Sequence, residues 1–167
     1  MKLAAAFAIA LLLQLGLTAG HLWWGLAACQ PLLLVVVATA RRFDPVGVAW
    51  CGLGAGLASD VLAERIIGPG GIAGAVAGVA VAVVVRRFEM EGPLYWIVGS
   101  LLAAACSEAS WLLLTLTLGV RPDHMLLDAL ATVAMTGAAG LVVASGERAL
   151  RAWRSPERRR RRVLRQL

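Results

Sequence analysis

Charged residues are scarce in this chain. Only 16% of its 167 residues are charged, whereas 60% are hydrophobic and the mean hydropathy is +0.79. A soluble protein of this length cannot bury that much apolar surface, because small domains leave a large share of their residues exposed. The composition therefore excludes an ordinary soluble domain, and the length predicts one domain embedded in a membrane.

Side chains that carry catalysis are also poorly represented in the sequence. Cys29, Cys51 and Cys106 all lie in apolar segments and show no CxxC or Cys/His ligand spacing, which predicts core residues rather than a disulfide or a metal site. His21 and His124 stand alone at the edges of predicted loops. The sequence offers no nucleophile with its base and no phosphate-binding loop, so we expect neither an enzyme nor a cofactor or metal site.

Basic residues are concentrated at the carboxyl terminus. Residues 147–167 include nine arginines and two glutamates, a net charge of +7, while the whole chain carries +6. A nucleic-acid-binding module would spread its basic residues over a folded face, so we expect no nucleic acid as a partner. The pattern predicts a membrane domain at 1–146 and a basic cytoplasmic tail at 147–167, whose Leu150 and Trp153 can extend the last helix into the interface. Five consecutive arginines are predicted to bind anionic lipid or a cytoplasmic partner: Arg158, Arg159, Arg160, Arg161 and Arg162.

Six apolar runs approach the length of a membrane span, which needs about 20 residues with a range of roughly 17–25. They cover residues 3–19, 22–40, 46–63, 71–85, 94–118 and 125–145. The fourth run is the weakest because it is short and follows a glycine–proline break. The first resembles a signal peptide, but Gln14 interrupts it and another apolar run follows almost at once, so we expect it to be retained. The predicted fold is an all-α bundle of six transmembrane helices.

The distribution of lysine and arginine predicts the orientation of this bundle. With the amino terminus inside the cell, the cytoplasmic parts hold 14 of the 16 basic residues and the outer loops hold two. Because basic loops stay in the cytoplasm, both termini are predicted to be cytoplasmic. Four aromatic residues near the span ends are expected to form an interfacial belt: Trp23, Trp24, Tyr95 and Trp96.

The stretch 52–71 combines small residues with an acid, Asp60, inside an apolar run. On a helix, Gly52, Gly56 and Asp60 lie four residues apart and share one face, and Gly74 and Gly78 repeat this spacing on the next helix. Glycines allow another backbone to come close. We expect these five residues to form a helix-packing face or a partner interface, with Asp60 facing protein or water because lipid does not tolerate its charge.

Two loops lie at the outer ends of the predicted spans. They are the turn of Gly68, Pro69 and Gly70, and the loop of Arg121 and Pro122. Asp60 and Asp128 fall at the same level by this topology. Arg121 is therefore a possible ion-pair partner for either carboxylate, at the mouth of a pocket or as a helix cap.

Glu108 lies near the middle of the fifth predicted span. A charge at that depth costs roughly 2.5–3.5 kcal/mol on insertion scales, and no lysine or arginine is predicted at matching depth. We expect Glu108 to be protonated or to be held by hydrogen bonds from groups such as Gln14, Gln30 or a hydroxyl. Its role remains open between a proton-linked step, a ligand contact, a contact with a partner helix and a neutral carboxyl that fixes helix register.

Taken together, these features resemble MreD, the bacterial rod-shape-determining family of the inner membrane. The resemblance covers about residues 30–153. Its carriers are Pro31 before an apolar run, the sequence GLGAGLASD at 52–60, the GPGG turn at 68–71, a fourth helix ending in basic residues, Glu108 in the fifth helix, and Arg121-Pro122 before the sixth.

The resemblance implies a scaffold rather than an enzyme. Members of this family are partners of the single-span protein MreC, and through it of the MreB filament and of RodA with its penicillin-binding transpeptidase. The resemblance thus implies a role in peptidoglycan synthesis and rod cell shape, in the bacterial cytoplasmic membrane. It also implies a fold similar to the substrate-binding subunits of energy-coupling-factor vitamin transporters, although a shared fold does not settle function.

Two other functions remain as alternatives. A substrate-binding subunit of a vitamin-type uptake transporter would need a polar cavity lined by Asp60, Glu108 and Asp128. A lipid-handling protein of the flippase type would instead need a lateral groove.

Overall fold

Four of the chain's six prolines lie in the first turn of a helix. They are Pro31, Pro45, Pro69 and Pro93. A proline in this position loses no hydrogen bond, because the first N–H groups of a helix have no partner within the helix. These prolines therefore help to set where four helices begin.

The computed structural model describes residues 2–19, 28–63, 67–119 and 125–154. These residues form six helices and no strand, which confirms the all-α fold class. The helices are α1, Lys2–Ala19; α2, Pro31–Ala40; α3, Pro45–Leu62; α4, Pro69–Arg87; α5, Gly92–Thr117; and α6, Met125–Arg154.

The helices α3, α4, α5 and α6 are each long and apolar enough to cross a membrane. The helices α1 and α2 include shorter apolar segments, Ala5–Leu17 and Pro31–Ala40. Large apolar side chains lie exposed on the outside of the bundle, among them Trp50 and Val142, as expected where lipid surrounds a protein. The chain is therefore a membrane protein, while six spans with both termini in the cytoplasm stay a prediction.

The predicted second span, 22–40, is wrong as one continuous helix. Residues 28–30 are not helical and α2 begins only at Pro31, while residues 20–27 lie outside the described residues. Gln30 has φ −110° and ψ 82°, because a proline disfavours the helical conformation in the residue before it. The Gln30-Pro31 pair thus ends the helical register that hydropathy alone predicts.

Two helices are longer than their predicted spans by several residues. The weakest candidate, 71–85, is part of the 19-residue helix α4, which starts at Pro69 and ends at Arg87. The last span, predicted at 125–145, is part of a helix that continues to Arg154, in agreement with the expected extension of that helix through Leu150 and Trp153. The helix therefore runs through the predicted domain boundary at 146/147, and the start of the tail extends α6.

Three basic segments gather at one end of the bundle, which we call the arginine end. Arg41, after α2, lies 3.5 Å from Glu147 of α6. Arg86, near the end of α4, donates a hydrogen bond of 2.6 Å to the carbonyl oxygen of Phe43. The loops around residues 41–44 and 86–91 and the last turns of α6 therefore lie together, and Asp60 lies toward the opposite end of α3.

The core lies mainly between α2, α3, α4 and α5. Its fully buried side chains are mostly small and β-branched, with one aromatic ring: Val36, Val37, Val48, Ala77, Val81, Tyr95 and Ala103. Small side chains permit close approach of helices, which drives association where lipid supplies no hydrophobic contrast. The core thus places α3 directly against α4, and this contact positions Asp60.

Candidate functional site

The contact between α3 and α4 is made by backbone rather than by side chains. A Cβ atom added to Gly52 would overlap the carbonyl group of Gly74, and one added to Gly74 would overlap the carbonyl group of Gly52. A Cβ on Gly56 would likewise overlap the carbonyl of Gly70, and one on Gly78 would lie 2.8 Å from the carbonyl oxygen of Val48. The glycine spacing found in the sequence therefore forms an antiparallel helix contact within the chain, which we call the glycine contact.

Asp60 lies at the end of the glycine contact and caps the next helix. Its carboxylate oxygen Oδ2 accepts the backbone N–H of Gly68 at 3.0 Å and that of Gly70 at 2.9 Å. These donors belong to the first turn of α4, where the helix dipole favours a negative charge. Asp60 is only 3% exposed, so this buried carboxylate is held by the turn that follows its own helix.

The geometry of the turn accounts for its three residues, Gly68, Pro69 and Gly70. Gly68 has φ +131°, a conformation that residues with a side chain rarely adopt. Pro69 begins α4 without losing a hydrogen bond. A Cβ on Gly70 would overlap the carboxylate of Asp60. The three residues of the turn therefore allow its backbone to come close to the carboxylate of Asp60.

A small polar cavity lies beside Asp60, between α2, α3, α4 and α5. Its polar lining consists of Gln30, Ser59, Asp60, Ser107, Glu108 and the indole of Trp111. Its free space is about 30 Å³, and a single water needs roughly 10–15 Å³ by this measure, so about two waters fit. The cavity can support hydrogen bonding among its side chains and a few waters, but pockets for organic ligands measure about 300–1,000 Å³.

Gln30, one of the partners expected for Glu108, bonds to it in this cavity. The side-chain Nε2 of Gln30 donates to Glu108 Oε1 at 3.1 Å, and the backbone N–H of Gln30 donates to Thr136 Oγ1 at 3.2 Å. Since Gln30 is not helical, its backbone N–H is available for this second bond. Gln30 therefore links α5 and α6 at the start of α2.

The other predicted polar residues do not line the cavity. Gln14 is 5% exposed on α1, and Asp128 is exposed in the first turn of α6. Arg121 and Pro122 lie outside the described residues, and so does the proposed pairing of Arg121 with Asp60 or Asp128. The arginine run 158–162 also lies outside them.

A second polar cluster, at the arginine end, was not predicted. Glu147 accepts the indole N–H of Trp96 at 2.5 Å and lies 2.6 Å from Arg151 and 3.5 Å from Arg41. The Arg41 guanidinium lies 3.7 Å from the centre of the Tyr95 ring. Tyr95 is fully buried and its hydroxyl donates to the Val37 carbonyl.

This cluster corrects one sequence expectation. Tyr95 is not part of an interfacial belt, because its ring faces the interior, while Trp23 and Trp24 lie outside the described residues. The available signal was that Tyr95 is the chain's single tyrosine and stands beside a tryptophan. Net charge groups Glu147 with the tail, and the structure shows that its side chain connects α6 with α5 and with the loop after α2.

Comparison with known proteins identifies no relative. No protein-family model matches the chain, and no curated protein and no solved structure matches it. A function therefore rests on the geometry of the chain and on the resemblance noted in its sequence.

Proposed function

We propose that this chain is a non-enzymatic scaffold subunit of the bacterial cell-elongation complex, bound to MreC in the cytoplasmic membrane. Through MreC it would be connected to MreB, RodA and a penicillin-binding transpeptidase, and its tail would meet anionic lipid or a cytoplasmic partner. The observation that carries the proposal is that the residues of the resemblance, 52–60 and 68–71, form one structural unit. Gly52 and Gly56 approach α4, and Asp60 binds the turn between them.

The small volume of the polar cavity supports a scaffold over an uptake subunit. A vitamin-sized ligand needs about ten times the 30 Å³ that Asp60 and Glu108 enclose. Asp128, the third carboxylate of that alternative, lies apart on the surface of α6. Both observations favour the scaffold over the uptake subunit.

A partner helix would have to contact the outside of the bundle, since the glycines of α3 and α4 already contact each other. On α3, three exposed apolar residues fall on one helical stripe: Val46, Trp50 and Val61. Gly54 lies on the same side, and a Cβ on it would meet nothing within 4 Å. This outward stripe of α3 therefore offers a large aromatic anchor beside a small residue, which suits helix association in lipid.

Co-purification with MreC from native membranes tests the proposal. The tagged wild-type chain should retain MreC, and Trp50→Ala should retain clearly less. Leu113→Ala, which removes a similarly exposed side chain from α5, should behave like the wild type. The substitution Asp60→Ala is a poor interface probe here, because it removes an internal cap.

The contradicting outcomes are distinct. Recovery of no more MreC than with an unrelated tagged membrane protein would refute the scaffold. Recovery of a bound small molecule in place of MreC would favour the uptake subunit. Retention of MreC by every variant would keep the partner but move its interface away from α3.

A further inference from the structure

A groove open to the surface runs between α5 and α6 near the arginine end. It measures about 370 Å³ and is lined by Ile97, Leu141, Val142, Ala144, Ser145 and Arg148. Its volume is more than ten times that of the polar cavity beside Asp60. We call it the α5–α6 groove, and neither the glycine contact nor the proposed binding of MreC involves it.

The groove is apolar at one end and basic at the other. Leu141, Ser145 and Arg148 lie four and three residues apart on one face of α6, over about 10 Å of helix. Leu141 and Val142 are 52% and 70% exposed, so the apolar end faces the surrounding lipid. The hydroxyl of Ser145 donates to the carbonyl of Val142 at 2.8 Å, which leaves the guanidinium of Arg148 as the main polar group.

The charge of Arg148 has no counterpart within the part of the chain that the structure describes. Glu147 forms ion pairs with two other arginines, Arg41 at 3.5 Å and Arg151 at 2.6 Å. No hydrogen bond or ion pair joins the Arg148 side chain to any described residue. The basic end of the groove therefore carries an excess of positive charge that an external anion can neutralise.

We propose that the α5–α6 groove binds an anionic phospholipid. The phosphate would contact Arg148, whose guanidinium offers paired donors to phosphate oxygens. One acyl chain would lie along Leu141 and Val142. The order of apolar and basic groups along the groove matches the order of chain and headgroup in a lipid whose headgroup faces the arginine end. Basic pockets between helices on the cytoplasmic side commonly bind anionic headgroups.

The length of the groove indicates a bound lipid rather than a transported one. About 10 Å is a third of the roughly 30 Å hydrocarbon core. A protein that moves lipids needs a path for the headgroup through the whole of that thickness. The site also differs from the attraction of lipid to the arginine tail, because it requires both a charge and an apolar channel at fixed positions.

Thermal unfolding of the purified full-length chain in a zwitterionic detergent tests this site. Phosphatidylglycerol and phosphatidylcholine are added at equal molar ratios, and the quantity measured is the difference between the two shifts in Tm. The wild type should be stabilised more by phosphatidylglycerol. Arg148→Gln, which removes the charge, and Val142→Trp, which fills the exposed channel, should each lose at least about half of that difference.

Arg42→Gln is the matched control, since Arg42 is an exposed arginine at the same end but outside the groove. It should keep the wild-type difference, and all variants should match the wild type in helix content without lipid. If Val142→Trp does not fold, Arg148→Gln alone decides.

Four results would overturn the proposal. A full lipid effect in Arg148→Gln would show that the Arg148 charge is not needed. Equal losses in Arg42→Gln and Arg148→Gln would indicate diffuse attraction to a basic surface. A shift of the same size with soluble glycerol phosphate would show that no acyl chain is needed. Loss of MreC from Val142→Trp with an unchanged lipid effect would assign the groove to a protein helix.

Discussion

Alanine at Gly52 should weaken the contact between α3 and α4, whereas alanine at Gly54 should not. A Cβ on Gly52 would overlap the carbonyl oxygen of Gly74 and would lie 2.7 Å from its carbonyl carbon and 3.2 Å from the backbone nitrogen of Ala75. All three are backbone atoms, so no side-chain rotation relieves the overlap and the two helices must separate. A Cβ on Gly54 meets nothing within 4 Å, which makes it a matched control on the same helix.

The magnitude follows from two opposing terms. Overpacking an interior typically costs about 1–3 kcal/mol, and two rigid backbones place Gly52→Ala in the upper part of that range. Alanine has a better helix propensity than glycine, which returns about 0.5–1 kcal/mol in either variant. We therefore expect a net loss of about 1–2 kcal/mol for Gly52→Ala and a change between zero and a gain of about 1 kcal/mol for Gly54→Ala.

Reversible unfolding in mixed detergent–dodecyl sulfate micelles, followed by far-ultraviolet circular dichroism, measures this difference. Free energies of unfolding for Gly52→Ala and Gly54→Ala within about 0.5 kcal/mol of each other would refute a backbone contact. Gly74→Ala gives an internal check, because its Cβ would overlap the carbonyl of Gly52. The double variant of Gly52 and Gly74 should lose less than the sum of the single variants, since one separation of the helices accommodates both methyl groups.

Two further predictions concern the polar contacts. Asp60→Ala leaves the N–H groups of Gly68 and Gly70 without their acceptor. Hydrogen bonds to charged groups contribute about 1.5–3 kcal/mol each, so a loss of at least about 3 kcal/mol is expected in the same assay. Asp60→Asn keeps an oxygen acceptor and should lose less; equal losses would contradict the capping role. At the arginine end, a double-mutant cycle of Glu147→Ala and Trp96→Phe should give a coupling of about 1 kcal/mol. A coupling of zero would show that this hydrogen bond does not contribute to stability.

The sequence predicts which face of a helix packs better than it predicts which residues that face contacts. The spacing of Gly52, Gly56 and Asp60 identified a packing face, because helical periodicity alone brings those residues to one side. It did not show that Gly52 meets Gly74, since the register between two helices depends on the turn that joins them. That register follows from the bonds between Asp60 and the turn, and these are visible only in three dimensions.

The burial of individual side chains and the direction in which they point are harder to predict from the sequence. Hydropathy correctly predicts that Tyr95 lies near a helix end. It does not predict that the ring faces the interior, because both sides of that helix are apolar. Hydropathy also predicts a second span that continues through residues 28–30. Pro31 indicates that the helix is interrupted there, because a proline disfavours the helical conformation in the residue before it. The contacts of Glu147 with Trp96 and Arg41 are likewise not predicted, since net charge alone groups Glu147 with the basic tail.

Asp60 accepts hydrogen bonds from the turn that follows its own helix, and this has a consequence for how the protein is inserted into the membrane. The two N–H donors lie only eight and ten residues further along the chain, so the hairpin of α3 and α4 contains the partners of its buried acid and can enter the bilayer as one unit. The hydrogen bond to Glu108 comes from Gln30, 78 residues earlier, which has already been synthesised when α5 emerges. Both interior carboxylates thus meet donors that are made beforehand or within the same hairpin, and neither of these bonds requires a helix that is still to be translated.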